Sequence, residues 1–196
     1  MQFVLASSNA HKADEIRTLV PDRFQLVLQS SLDVEPPDET GVTFVENALI
    51  KARYAAQITG LPAIADDSGL CVDALNGAPG VHSARYAGAS STDHENVEKL
   101  LAAMKGIDRR KARFYCVLVS VRHANDPMPL ITEAAWNGEI AREPAGKAGF
   151  GYDPVFYLPD LSRTAAELTM SDKNKISHRG QALNQLVSKL IECYPA

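Results

Sequence analysis

Apolar positions along this chain recur in short blocks with two different periods. Phe3 to Ala6 and Phe24 to Leu28 are brief apolar runs that predict buried strands. Between them, Ala10 to Val20 carries Ile16, Leu19 and Val20 on one helical face and stops at Pro21. A polar, proline-containing stretch follows from Gln29 to Gly41. Thr43 and Glu46 then have the spacing of a capping box, which predicts a helix running to Thr59 with Gly60 as its stop. Pro62 to Ala65 predicts a short strand ending in Asp66-Asp67-Ser68-Gly69, and Leu70 to Asp73 a further short strand.

Residues 76–91 are rich in Gly, Ala and Ser and read as a long loop. A second capping box, Thr92 with Glu95, opens a helix to Lys105. Arg113 to Arg122 is strongly β-prone, and Asn125 to Pro129 turns it into a partner strand, Leu130 to Trp136. The segment 138–158 reads as short strands and Gly-rich loop. Ser177 to Cys193 is the last helix, with Leu183, Leu186, Val187, Leu190 and Ile191 as its apolar face. Early alternation of strand and helix, then a β-rich middle, predicts one α/β domain over 1–196 with a mixed sheet. Residues 75–90 are the candidate boundary between two lobes.

Composition narrows the function classes. The chain has 196 residues, 45% of them hydrophobic, enough for a real core. A net charge of −4 argues against a broad nucleic-acid surface, which needs excess Lys and Arg. Any bound anion should therefore occupy a local pocket. Cys71, Cys116 and Cys193 are few, odd in number and far apart, so neither a disulfide frame nor a zinc site is expected. That pattern fits a reducing, cytoplasmic setting. No signal peptide is legible, and no apolar run approaches the ~20 residues that span a bilayer.

Five segments could carry chemistry. Ser7-Ser8-Asn9-Ala10-His11-Lys12 lies between a strand and a helix, where small polar residues and a helix N-terminus favour phosphate; an ordinary polar turn capped by Asn9 reads equally from these residues. Asp66-Asp67 are adjacent acids that call for a cation such as Mg²⁺, or else form a surface turn bonded to the Gly69 amide. Lys51 shares a helix face with Asn47, and with Glu39 it could serve a metal–phosphate site or a solvated face. In Gly149-Phe150-Gly151-Tyr152-Asp153-Pro154, glycines beside an aromatic let a flat ligand approach, and Asp153 offers an acceptor. Lys173 and Ser177-His178-Arg179 place cations at a helix start with Ser177 as N-cap, exposed in the first turn, where a bound anion or base would relieve them.

The order and spacing of these segments together are more specific than any one of them. SSNAHK at 7–12, ETGVTFVENALIKA at 39–52, LPAIADDSGL at 61–70, GAPGVHSARYAG at 77–88, AREPAGKAGFGYDPVF at 141–156 and ISHRGQAL at 176–183 make the chain resemble the non-canonical purine NTP pyrophosphatases: the HAM1-like dITP/XTP pyrophosphatases and inosine triphosphatases. One departure is visible. The family's first motif usually reads Ser/Thr-Gly-Asn, and Ser8 stands here in place of the Gly. A positive φ there would strain Ser8 by ~1 kcal/mol or more.

The resemblance implies an elongated α/β fold, two lobes around a central cleft, and a homodimer. It implies Mg²⁺-dependent hydrolysis of ITP, dITP and XTP to the monophosphate and pyrophosphate, with a small-molecule nucleotide as partner. Under that resemblance Ser7, Ser8, Asn9, Ala10, His11 and Lys12, with Ser68, hold the triphosphate, and Lys51 helps to neutralise it. Asp67 is the expected metal ligand and activator of water, Glu39 the second metal-site acid, and Asp66 an assisting group. Phe150, Gly151, Tyr152, Asp153, Lys173, His178 and Arg179 are expected to meet the base, with Phe150 stacking and the cations and backbone amides donating to its 6-keto oxygen. The alternatives are a Maf-like pyrophosphatase for modified pyrimidine or methylated nucleotides, a non-catalytic nucleotide sensor, and a nucleic-acid binder. Glu39, Asp66 and Asp67 argue against the second, and the acidic net charge against the third.

Overall fold

A computed structural model describes residues 1–7 and 9–195; Ser8, with its expected phosphate role and strain, lies outside them. The first strand, β1 (Gln2–Ala6), leads into α1 (Ala10–Leu19), and β2 (Gln25–Leu28) follows. Asn9 caps α1, accepting a bond from the Lys12 amide at 3.1 Å. The capping box of Thr43 and Glu46 forms in full and starts α2 (Phe44–Thr59), which Gly60 ends at φ 68°. That left-handed conformation costs glycine little and other residues more. Ala48, Ala52, Ala55 and Ala56 are its buried face, and such small side chains let the helix approach β1 closely.

The next strand, β3 (Ala63–Val72), corrects the expectation of two short strands around an acidic turn. It runs ten residues through Asp66 and Asp67 without a break. The 76–91 segment holds a 3₁₀ turn at Gly80–Arg85. The second capping box opens α3 (Asp93–Ala103) as expected. The paired strands are longer than the apolar pattern suggests: β4 (Lys111–Val121) and β5 (Leu130–Ile140). Two short strands, β6 (Phe156–Leu158) and β7 (Arg163–Thr164), precede α4 (Met170–Ile176), a helix the sequence reading lacks, and then α5 (His178–Cys193). Among the described residues the strands form one seven-stranded sheet in the order β2-β1-β3-β4-β5-β6-β7. Pairings of β1 with β2 and β3 are parallel, and those of β6 with β5 and β7 antiparallel, so the sheet is mixed.

The chain divides into two compact units. One comprises Met1–Asp67, Cys116–Ala134 and Arg179–Ala196; the other comprises Ser68–Tyr115 and Ala135–His178. The divisions fall inside β3, β4 and β5 and after the first residue of α5, not at residues 75–90. Each unit has its own core. The first packs Phe3 and Leu5 of β1 with Ile16 of α1, Ile64, Leu118 and the Leu183, Leu186 and Leu190 face of α5. Ile191, expected on that face, is exposed. The second core gathers Leu70, Val72, Phe114, Trp136 and Phe156 with Val97 and Leu100 of α3. No helix among the described residues is long and apolar enough to cross a membrane.

The α2 box orients a helix that carries Lys51, so its loss is measurable. Thr43→Ala is expected to destabilise the fold by about 1 kcal/mol, read as a lowered thermal midpoint by circular dichroism.

Candidate active site

The site in the first unit begins with the side chains that β3 presents. Successive residues of a strand point to opposite faces, so Asp66 and Asp67 diverge although they are neighbours in sequence. Asp66 meets Lys12 Nζ of α1 at 3.3 Å and Arg179 of α5 at 3.5 Å. Arg179 is also paired with Glu15, one turn beyond Lys12 on α1. Asp67 receives Lys51 Nζ on Oδ1 at 3.0 Å and Asn47 Nδ2 on Oδ2 at 3.3 Å. Lys51 Nζ lies 2.9 Å from Glu39 Oε1 as well, so one ammonium bridges two carboxylates. Beyond β1, the Ser7 hydroxyl accepts the Asn9 amide at 3.3 Å. His11 and Ser68 sit beside these groups in the chain, exposed and half-buried respectively.

Two expectations are corrected here. Asp66 and Asp67 are 2% and 5% exposed and do not form a surface turn, because β3 carries them inside, where the buried Arg179 and the partly buried Lys12 and Lys51 offset their charge. Arg179 is not exposed in a first helical turn; it is 2% exposed, and Glu15 and Asp66 offset its charge at the helix start. Sequence reasoning gave Glu15 no role and used Asn47 only to mark a helix face. Their signal was spacing: Glu15 stands three residues after Lys12, and Asn47 four before Lys51.

The second unit assembles a different group. Lys173 Nζ donates to Asp153 Oδ2 at 2.6 Å and lies 4.7 Å from the centroid of the Phe150 ring. The same Asp153 oxygen accepts the Phe150 amide at 3.0 Å. Gly149 adopts φ +77°, and a Cβ there would collide with the Asp153 carboxylate, so the loop requires glycine at that position. Tyr152 is buried and its hydroxyl donates to the Ser83 carbonyl at 2.8 Å; the Gly151 amide donates to Asp93 at 2.7 Å. The backbone amides of Phe150 and Gly151 are thus committed within the fold. His178 is likewise no exposed donor. It is 4% exposed and stacks on Phe114 at 4.8 Å and 8°, beside Trp136. Its ring completes an aromatic core with Phe114 and Trp136.

The pattern that defines the Ham1 family matches residues 3–189. The chain belongs to the Ham1 family. It is 57% identical over 192 residues to the dITP/XTP pyrophosphatase of Yersinia pseudotuberculosis and 55% identical to that of Escherichia coli K12, in each case covering 96% of this chain and 98% of the relative. A Ham1 protein structure from Coxiella burnetii superposes with a TM-score of 0.92 at 54% identity, covering 98% of this chain and 99% of that one. The Staphylococcus aureus Ham1 protein gives 0.89 at 39% identity, covering 99% of this chain and 100% of that one.

Electrostatics separates the two aspartates of this Ham1 chain. Burial alone would raise the Asp66 carboxyl, but Lys12, Arg179 and Lys51 outweigh it and hold it well below the usual carboxylate range. Burial pushes the Asp67 carboxyl above that range, and Lys51 and Lys12 oppose the shift without reversing it. Burial would lower Lys51, yet the charges of Asp67, Asp66 and Glu39 win and raise it. With every group ionised, Glu15, Glu39, Asp66 and Asp67 face Lys12, Lys51 and Arg179, which leaves one net negative charge among these described residues. A triphosphate would be repelled by that charge, and a divalent cation would reverse it. Among the described residues no cluster of three or more His, Cys, Asp or Glu is placed to hold a metal. Mg²⁺ does not require one, since it uses one or two carboxylates with waters and substrate phosphate. The Glu39 and Asp67 pair, already converging on one cation, fits that donor set.

Removing Arg179 leaves two buried carboxylates short of a partner. Arg179→Leu is expected to destabilise the protein by about 3–5 kcal/mol, read as a fall in the urea midpoint. Because the folded-state pKa of Asp66 is depressed, its pairing contributes fully above the unfolded value near 3.9 and is lost as pH falls through the folded value. Asp66→Asn should therefore lower the melting temperature at pH 7, and the gap to the native protein should close on acidification below about pH 4.

Proposed function

We propose that this Ham1-family chain hydrolyses ITP, dITP and XTP between the α and β phosphates, giving the nucleoside monophosphate and pyrophosphate and so clearing aberrant purines from the nucleotide pool. The observation that carries the reading is the cluster of Lys12, Lys51 and the buried Asp66 and Asp67, with Glu39 bridged through Lys51, in a chain more than half identical to relatives named dITP/XTP pyrophosphatases.

In this reading Lys12 and Lys51 hold the polyphosphate, aided by Ser7, Asn9, Ala10 and His11, with Ser68. Asp66 keeps Lys12 and Arg179 in place as a permanently ionised partner. Asp67 takes the proton of the attacking water, a role suited to a carboxyl that burial holds above the usual carboxylate range. Glu39 and Asp67 would hold Mg²⁺, which when bound offsets charge on the phosphates and the departing pyrophosphate. The Phe150 ring offers a stacking face, and Lys173 offers a cation beside it. A 6-keto purine accepts from that cation, whereas adenine presents an amino donor and leaves the interaction unmade, at a cost of roughly 1–3 kcal/mol or more for a charged group. The same reading has the enzyme act in the cytosol as a homodimer. The free state of Cys71, Cys116 and Cys193 agrees with a reducing compartment.

Steady-state assays with dITP, XTP, ITP, GTP and ATP in Mg²⁺ test this. Pyrophosphate should be released from the first three in preference to ATP, and chelation should stop the reaction. Release of orthophosphate alone would exclude the proposed bond cleavage. Asp67→Asn is expected to lower kcat by about 10²- to 10⁴-fold with substrate binding largely retained, measured by calorimetric titration alongside turnover.

A further inference from the structure

The side chain of Asn47 sits on α2 one turn before Lys51 and is fully buried, at 0% exposed. Its Oδ1 accepts the Gly41 amide at 2.8 Å, and its Nδ2 donates to Asp67 Oδ2 at 3.3 Å. The first bond fixes the orientation of the amide. An N–H from Gly41 demands the oxygen on that side, so the NH₂ must face Asp67. Lys51 holds the other oxygen of the same carboxylate. The approach of the 39–41 segment is close enough that a Cβ on Gly41 would stand 2.7 Å from Asn47 Oδ1 and 2.5 Å from Glu46 Cβ.

We propose that Asn47 is a positioning residue for the hydrolytic reaction: it fixes the second oxygen of Asp67 and ties that carboxylate to the chain segment that carries Glu39. The inference rests on the pyrophosphohydrolase reading above. Asp67 and Glu39 come from elements far apart in sequence, a strand interior and the approach to a helix. Lys51 bridges them electrostatically, but a lysine ammonium at the end of a flexible stem tolerates many directions. A planar amide with both ends bonded does not. Asn47 therefore sets the rotation of the Asp67 carboxylate while Lys51 neutralises it, and Gly41 is the position where the backbone comes near enough to be grasped. Asn47 is bonded to Asp67, and its effect passes through that carboxylate.

The discriminating variant is Asn47→Leu, close in volume and uncharged, which removes the donor to Asp67 without adding charge to the site. With dITP and Mg²⁺ the expected result is a fall in kcat of about 10- to 100-fold, the size for a lost bond to a charged group. KM should stay within about threefold, because the substrate contacts and the net charge of the site are unchanged. A purely structural role predicts a lowered thermal midpoint with wild-type kcat in the folded protein, and a kcat within about twofold of wild type overturns the proposal. Gly41→Ala perturbs the same bridge without altering residue 47, and covers the case in which Asn47→Leu does not fold. It should also lower kcat at near-constant KM, and wild-type turnover in a folded Gly41→Ala protein overturns the proposal. The native protein runs in the same series: absence of pyrophosphate release from it would sink the functional reading, whereas an active native enzyme with an equally active Asn47→Leu variant would sink only this inference.

Discussion

The fold depends on a strand that carries two adjacent aspartates through the interior. A carboxylate in β3 loses most of its water, and an uncompensated charge there would cost several kcal/mol. The chain meets that cost from three directions. Lys12 reaches in from the first turn of α1, Lys51 from the middle of α2, and Arg179 from the second residue of α5. These helices are therefore placed by charge as well as by apolar packing. Glu15 in turn restrains Arg179, so the network extends to α1 twice.

The pairing also gives the two acids different characters. Asp66 shares its carboxylate with two cations and stays ionised, a fixed element of the scaffold. Asp67 is held by one lysine and an amide, and burial dominates it. Neighbouring residues of one type, in one strand, thus acquire opposite shifts because the alternation of the strand sends them to different partners. A strand is a suitable place for this division, since a turn would have exposed both to water.

Much of the fold was legible because it rests on local rules. Both capping boxes, the Gly60 stop, the Asn9 cap and the paired strands on either side of 125–129 follow from residue types within a few positions of one another. The unbroken β3 was not legible, because adjacent acids mimic a turn until their distant partners are known. The burial of His178 and Arg179 was hidden for the same reason: the stacking partner Phe114 and the ion partner Glu15 lie far away in sequence. α4 escaped because its seven residues, MSDKNKI, carry too little apolar periodicity to declare a helix. Of the site, the residue types and segments were readable, along with the association of Glu39 with Lys51. Which acid met which cation was not, since that depends on strand facing.

Lys173 shows what such an arrangement would bring to the base recognition proposed above. A surface lysine must give up the freedom of four rotatable bonds when it binds a ligand. Here Asp153 and the Phe150 ring have already restricted the side chain, and the requirement for glycine at 149 keeps that carboxylate in place. The ordering entropy is settled when the polypeptide folds. Under the proposed function, a flat base arriving on Phe150 would meet an already ordered platform, and its affinity would not be diluted by immobilising the cation. The same ordering would leave little capacity to adapt: a ring of different thickness or edge chemistry would find no new fit, and discrimination would be a property of the protein before any ligand arrives.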